Sequence, residues 1–431
     1  MFLKDKIAEK KAKIGIVGLG YVGLPLAVEM ANAGFEVVGI DVDGEKVNKI
    51  SEGKNYIPDL EVKTIERLVG EGHLKATNDF SIVSNLDAII ICVPTPLNKM
   101  REPDTSYIQS SINSISPYLK KGQLLILEST SYPGTTEEII LPVIKKYGLE
   151  VGKDIYVAFS PERVDPGNKK YSIKNTPKVV GGVTEKCTDI AALLYAQIAE
   201  EVVPVSSLKA AEMTKLLENI FRCVNIALVN EIMILCDRMG IDVWEVIKAA
   251  STKPFGFMPF YPGPGLGGHC IPVDPFYLSW KAKEYDFYTE FIELAGKVNQ
   301  NMPYYVVSKI AESLNDVQKS IKGSKILILG VAYKRDIDDI RESPALRVIE
   351  ILGQKGAFIS YHDPYINKIS VGDESFCSEP LSEDVLREKD CVVVITDHSN
   401  VDYELIVEKA NLVVDTRNAL DKFKNGNIVK I

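Results

Sequence analysis

The chain has 431 residues, of which 46% are apolar and 25% charged, a balance that suits a globular protein long enough to bury more than one core. A net charge of -9 argues against a general nucleic-acid surface, although a local basic pocket for an anionic ligand stays possible. Seven cysteines, an odd number with no C-x-x-C pair, rule out a disulfide framework and point to no metal site. No stretch approaches the roughly 20 continuous apolar residues of a bilayer span, and the opening MFLKDKIAEKKAK is too polar for a signal peptide. A cytoplasmic protein without membrane or nucleic-acid partners is therefore expected.

The first element is KIGIVGLGYVGLPLAVEMANAGFEVVGIDVD. An apolar run from Ile14 to Val17 leads into Gly18, Gly20 and Gly23, with Tyr21 and Val22 between them; a helical pattern follows, and a second apolar run ends at Asp41. Gly18 serves the tight turn, Gly20 lets backbone approach a pyrophosphate, and Gly23 lets helix and strand pack closely. The phosphates of a dinucleotide then meet the helix N-terminus. Asp41, 18 residues after Gly23, is placed to bond a ribose 2′-hydroxyl and repel a 2′-phosphate, which favours NAD over NADP.

Further apolar runs at DAIIICVPTP, QLLILESTSYPGTT and IYVAFSPERVDPG each stop at turn formers. Ligands of open parallel sheets bind beyond the carboxyl ends of strands, so Pro94, Thr95, Ser129, Thr130, Ser160, Pro161 and Glu162 are expected to line one crevice. Helix capping by Thr130 and a solvated loop acid at Glu162 are the competing readings.

From Ser206 to about Met239 apolar residues recur at helical steps. Lys215 and Asn219 share one face there, where a buried lysine could exchange a proton with an alcohol and the amide could hold it or a water; a solvated surface lysine is the alternative. A second helical stretch, about 286 to 316, carries Pro303, which should kink or split it. Long helices of this kind between two α/β halves suit a homodimer surface. Between them lies YPGPGLGGHCIPVDP, whose glycines and prolines exclude a helix and predict a loop with exposed amides. Cys270 follows that polar approach with Asp274 four residues on, a setting for a nucleophile as well as for a core thiol.

The last part repeats the strand, turn, helix order at SKILILGVAYKRDIDDIRESPALRVIEIL, with strands at FISYHDPY, CVVVITDH and LVVDTRNA. Its turn lacks the three-glycine set and offers Lys334 and Arg335, which suits a phosphate held by side chains; Arg341 and Arg417 are similar candidates. The fold class expected is α/β, two Rossmann-like doubly wound parallel-sheet domains joined by a central long-helix region, divided at 1–205, 206–316 and 317–431.

GLGYVGLP, VPTP, EST, SPER, the KLLEN helix, PGPGLGGHCIPVDP and GVAYK followed by RESPA together resemble the UDP-glucose/GDP-mannose dehydrogenase family over essentially the whole chain. Val273 stands where the UDP-glucose and GDP-mannose enzymes have a lysine before the aspartate, and this form resembles the UDP-N-acetylhexosamine branch; the spacer STKPFGFMPFYPGPG is most similar to enzymes of UDP-N-acetylglucosamine. The resemblance implies a four-electron oxidation at C6 with two NAD. In it Lys215, Asn219 and a water handle the alcohol proton, Cys270 forms a thiohemiacetal and then a thioester, and Asp274, Thr130 and Glu162 assist hydrolysis. It also implies substrate contacts from Glu162, Arg163, Lys215, Asn219, Tyr261, Gly265, Gly267, Lys334 and Arg417. An arginine that many UDP-glucose enzymes carry before the glycine loop is missing between Lys253 and Cys270. UDP-N-acetylmannosamine, UDP-N-acetylgalactosamine and UDP-glucose stay open as substrates, as do a two-electron hydroxyacid-type dehydrogenase that leaves Cys270 idle and a non-catalytic nucleotide-sugar sensor.

Overall fold

The computed structural model describes residues 2–57, 60–98, 100–165, 167–168, 170–268 and 271–431. His269 and Cys270, and with them the nucleophile reading, lie outside the described residues. The chain divides into two compact units, residues 1–218 with 276–287, and residues 219–275 with 288–431.

The first unit is built on an eight-stranded sheet: β1 (Lys13–Val17), β2 (Glu36–Ile40), β3 (Leu74–Thr77), β4 (Ala88–Ile91), β5 (Leu124–Leu127), β6 (Tyr156–Phe159), β7 (Lys178–Gly182) and β8 (Val202–Val205). Their spatial order is β3-β2-β1-β4-β5-β6-β7-β8. The first six strands are parallel and follow the dinucleotide-binding order, whereas β7 runs antiparallel to β6. Both faces are covered, so the strands read as continuous apolar runs whose side chains divide by period two. Ile14 and Ile16, Ala88 and Ile90, and Leu124 and Ile126 join one core. Val17, Ile89 and Ile91, and Leu125 and Leu127 join the other.

The second unit holds a five-stranded parallel sheet of β9 (Lys325–Leu329), β10 (Phe358–His362), β13 (Cys391–Val394), β14 (Val413–Asp415) and β15 (Ile428–Lys430), in the order β10-β9-β13-β14-β15. A separate hairpin pairs β11 (Lys368–Val371) with β12 (Glu374–Cys377). The same alternation recurs, with Ile326, Ile328 and Val393 in one core and Leu327, Leu329 and Val394 in the other.

The helix Leu208–Met239 carries the chain from the first unit into the second after Glu218. It is also the one described helix whose length and apolar content would suffice to cross a membrane. It nonetheless carries Glu212, Lys215, Glu218 and Asp237 along its length. The second long helix, Glu290–Asp316, is not split at Pro303. The carbonyl that a proline leaves without its helical donor is that of residue i−4, here Asn299. Gly265 packs closely against that carbonyl and against the Pro303 ring, so the defect in the helix receives the glycine loop.

Candidate functional site

In the first unit the turn after β1 has the shape a dinucleotide requires. Gly18 has φ +92°, and a Cβ there would lie 2.6 Å from the Cys92 carbonyl oxygen. At Gly23, which opens the helix Gly23–Asn32, a Cβ would come within 1.8 Å of the Gly18 carbonyl oxygen. A Cβ on Gly20, by contrast, would meet nothing within 4 Å. Two glycines thus serve packing, and the third leaves open space before a helix N-terminus, where anions bind. Tyr21 is exposed and Val22 half-buried at the helix start.

Asp41 lies just past β2 and is buried. Its Oδ2 accepts from the Leu19 amide at 2.7 Å and its Oδ1 from the Asp43 amide at 2.9 Å, so the carboxylate pins the glycine turn, a task the sequence did not reveal. Each oxygen keeps a second lone pair for a ribose hydroxyl. The second unit repeats the device: Asp363, just past β10, accepts from the Val331 and Ala332 amides of the turn after β9 at 2.7 and 3.0 Å. Pro94 is exposed, and the buried Thr95 gives its carbonyl to the Tyr277 hydroxyl at 2.6 Å. The residues of the first unit fit NAD.

Thr130 is half-buried after β5, and its neighbour Ser129 accepts from the Val93 amide at 2.9 Å, tying the ends of β4 and β5. Glu162, beyond β6, is 12% exposed. One of its oxygens accepts from the Arg163 and Val164 amides at 2.7 and 2.6 Å, and the other from Lys178 Nζ at 3.0 Å. Burial would raise its pKa, but Lys178, the Val164 amide and Lys215 outweigh burial and hold the carboxyl below its ordinary range. Lys215 is buried on the helix Leu208–Met239. Arg163 donates to the Pro177 carbonyl at 2.7 Å and pairs with Glu218 at 2.6 Å, which docks the SPER loop on that helix.

In the second unit Asn219 and Asp274 are both buried, and the Asn219 amide donates to Asp274 Oδ2. Asp274 begins the helix Asp274–Ala282. The glycine loop between them differs from the exposed-amide reading. The Gly263 amide donates to Asn230 Oδ1 at 3.0 Å and the Gly268 amide to the Arg341 carbonyl at 2.9 Å. Cβ atoms at Gly267 and Gly268 would come within 2.5 and 2.8 Å of Tyr333. Close packing therefore explains these glycines, and two of their amides are already committed. Tyr261 stacks on Trp244 with centroids 6.1 Å apart.

Among the candidate cations, Arg335 is paired with Asp397, and Arg341 makes a two-pronged contact with Asp339. Lys334 is half-buried in the turn after β9. Arg417 stands apart. Its Nε donates to the Ile395 carbonyl at 2.8 Å, and a guanidinium nitrogen lies 2.5 Å from where a Gly263 Cβ would be. Burial lowers its pKa, and it has no ion pair with a carboxylate among the described residues. A half-buried guanidinium of that kind suits a diphosphate.

Residues 12–199, 209–301 and 327–422 match the NAD binding domain, central domain and UDP binding domain of the UDP-glucose/GDP-mannose dehydrogenase family. The UDP-N-acetyl-D-mannosamine dehydrogenase of Methanococcus vannielii is 36% identical, covering 96% of this chain and 94% of its own. The UDP-N-acetyl-D-glucosamine 6-dehydrogenase of Salmonella typhi is 35% identical, covering 90% of each. The solved structure of the UDP-D-ManNAc dehydrogenase of Pyrococcus horikoshii superposes with a TM-score of 0.89 at 34% identity, covering 97% of this chain and 99% of that one. Three consecutive family domains, and relatives aligned along nearly their whole length, agree with a glycine turn built for a dinucleotide, and the chain belongs to the UDP-glucose/GDP-mannose dehydrogenase family as an NAD-dependent oxidoreductase acting on the CH–OH group of a nucleotide sugar of the UDP-hexosamine type.

Proposed function

We propose that the chain oxidises the C6 hydroxyl of UDP-N-acetylglucosamine to the uronic acid in two steps. The observation that carries the reading is the buried Asn219–Asp274 hydrogen bond, which brings a helix amide to the acid four residues after the cysteine of the glycine loop. NAD, when bound at the glycine turn, supplies the hydride acceptor for both steps. Lys215 takes the proton of the C6 hydroxyl as the aldehyde forms, with Asn219 holding the ordered water. The Cys270 thiolate adds to the aldehyde carbon, giving a hemiacetal whose second oxidation leaves a thioester. Asp274 assists the water that attacks the thioester carbonyl; the C–S bond breaks, the thiol is restored and the acid is released. Thr130 and Glu162 hold that water and the oxyanion. The diphosphate rests on Arg417 and Lys334, with Tyr261, Gly265, Gly267 and Arg163 completing the substrate contacts.

The gluco epimer rests on the spacer before Cys270. The mannosamine names of the Methanococcus and Pyrococcus relatives support UDP-N-acetylmannosamine as the second reading. NADH counted per sugar on both substrates decides between them and between four-electron and two-electron chemistry.

We also propose a homodimer in the cytoplasm. Phe221, Leu228, Ile232, Leu235 and Met239 form an exposed apolar stripe on the second unit's part of the helix Leu208–Met239, with exposures of 47, 55, 37, 51 and 61%. Their helical spacing puts them on one face, and a second copy of the chain offers the matching stripe.

A further inference from the structure

Lys178 opens β7 and is 3% exposed, and no step above uses it. Its ammonium lies 2.7 Å from Glu128 Oε1 and 3.0 Å from Glu162 Oε2, and 5.1 Å above the Tyr195 ring. Glu128, 1% exposed at the end of β5, also receives the Tyr195 hydroxyl at 2.6 Å and the Cys92 thiol at 3.6 Å. One cation is thus shared by a buried and a largely buried carboxylate, an arrangement that apolar residues of similar volume would replace at little cost in stability. The charge has another use.

The groups that face Glu162 are Lys178 from β7, Lys215 from the helix Leu208–Met239, and Glu128, Cys92 and Tyr195 grouped around Lys178; Arg163 is turned to Glu218. Burial and Lys178 act on the two acids with unequal result. Burial prevails at Glu128, whose pKa is raised, while Lys178, the Val164 amide and Lys215 prevail at Glu162. The geometry agrees: Glu162 accepts from two backbone amides as well as from Lys178, whereas Glu128 has, among the described residues, no backbone donor beside Lys178, the Tyr195 hydroxyl and the Cys92 thiol.

We infer that Lys178 is a positioning residue: anchored by Glu128, its ammonium holds the Glu162 carboxyl group ionised and fixed in direction for its work on the water and oxyanion of the second step. This rests on the role of Glu162 proposed above. The test is titration of the protein labelled with ¹³C at the glutamate carboxyl groups, with Glu162→Gln identifying the Glu162 signal. In the native protein that signal titrates below the ordinary glutamate range, and in Lys178→Met it moves up by at least about 1 pH unit, with Lys178→Arg close to native. If Lys178→Met folds poorly, the pair Lys178→Met with Glu128→Gln, which removes the cation with one of its anions, is titrated with the same expectation.

In single-turnover acid release, Lys178→Met with Glu162→Gln is no slower than Glu162→Gln alone. An unmoved Glu162 titration, or rate losses that multiply, overturns the inference. A yield of one NADH per sugar would instead overturn the functional reading, while the titration would still decide whether Lys178 keeps Glu162 charged.

Discussion

Replacing Gly20 and Gly23 by alanine, one at a time, separates ligand approach from packing in the dinucleotide turn. At Gly23 the new Cβ would lie 1.8 Å from the Gly18 carbonyl oxygen, where real contacts stay above 3.0 Å. The turn and the helix Gly23–Asn32 must separate to accept it, at an expected cost of about 1–3 kcal/mol or more in stability. At Gly20 the backbone is not left-handed and the Cβ enters open space, so thermal unfolding is expected within about 1–2 °C of native. That methyl group occupies the approach of the pyrophosphate, and by analogy with one misplaced methylene in a pocket should cost about 1–3 kcal/mol, or 10- to 200-fold in NAD affinity. Calorimetric titration with NAD and a thermal melt on each variant provide the assay. A Gly20→Ala protein that binds NAD as tightly as the native chain would refute the placement of the phosphates.

Three further outcomes are expected. Cys270→Ser should stop after the first oxidation, yielding at most about one NADH per sugar and no acid in chromatography of the products, because a neutral serine hydroxyl is a far weaker nucleophile than a thiolate and does not capture the aldehyde as the hemiacetal that the second hydride must leave; acid formed at the native rate would remove Cys270 from the reaction. Asp41→Asn should raise the use of NADP relative to NAD by roughly tenfold in kcat/KM, since the carboxylate that repels a 2′-phosphate is gone. That ratio is insensitive to the loss of the bond to the Leu19 amide, which would weaken both cofactors alike, and an unchanged ratio would refute the ribose assignment. Leu228→Asp should leave a single 47.7 kDa chain in sedimentation equilibrium, whereas a native protein that is already a single chain would remove the dimer.

The parts that could be read from residues were those whose chemistry is local. The glycine turn, the apolar strands ending in VPTP, EST and SPER, and the long helix from Leu208 all depend on neighbours in sequence, so their periodicity and turn formers announce them. The edge strand β8, with two exposed residues in VVPV, and the hairpin of β11 and β12 carry no such apolar signal. Asp41 was legible as a residue at a strand end, but its bond to the Leu19 amide exists only once β1 and β2 lie side by side. Lys178 was invisible for the same reason. Glu128, Glu162 and Lys178 sit at the ends or beginnings of three different strands, and only the antiparallel turn of β7 against β6 brings the lysine to both acids. A cation opening an otherwise apolar run, KVVGG, was the one available signal. The glycine loop misled because glycine serves close packing as readily as open backbone, and the partners Tyr333 and Arg417 are distant in sequence.

The central claim is a four-electron oxidation of a UDP-N-acetylhexosamine, and NADH formed per sugar consumed tests it most directly, with UDP-N-acetylglucosamine, UDP-N-acetylmannosamine, UDP-N-acetylgalactosamine and UDP-glucose run in parallel. About two NADH per UDP-N-acetylglucosamine are expected, with the uronic acid as product. One NADH per sugar would contradict the thioester route, and no NADH from any of the four would contradict the assignment of the substrate itself.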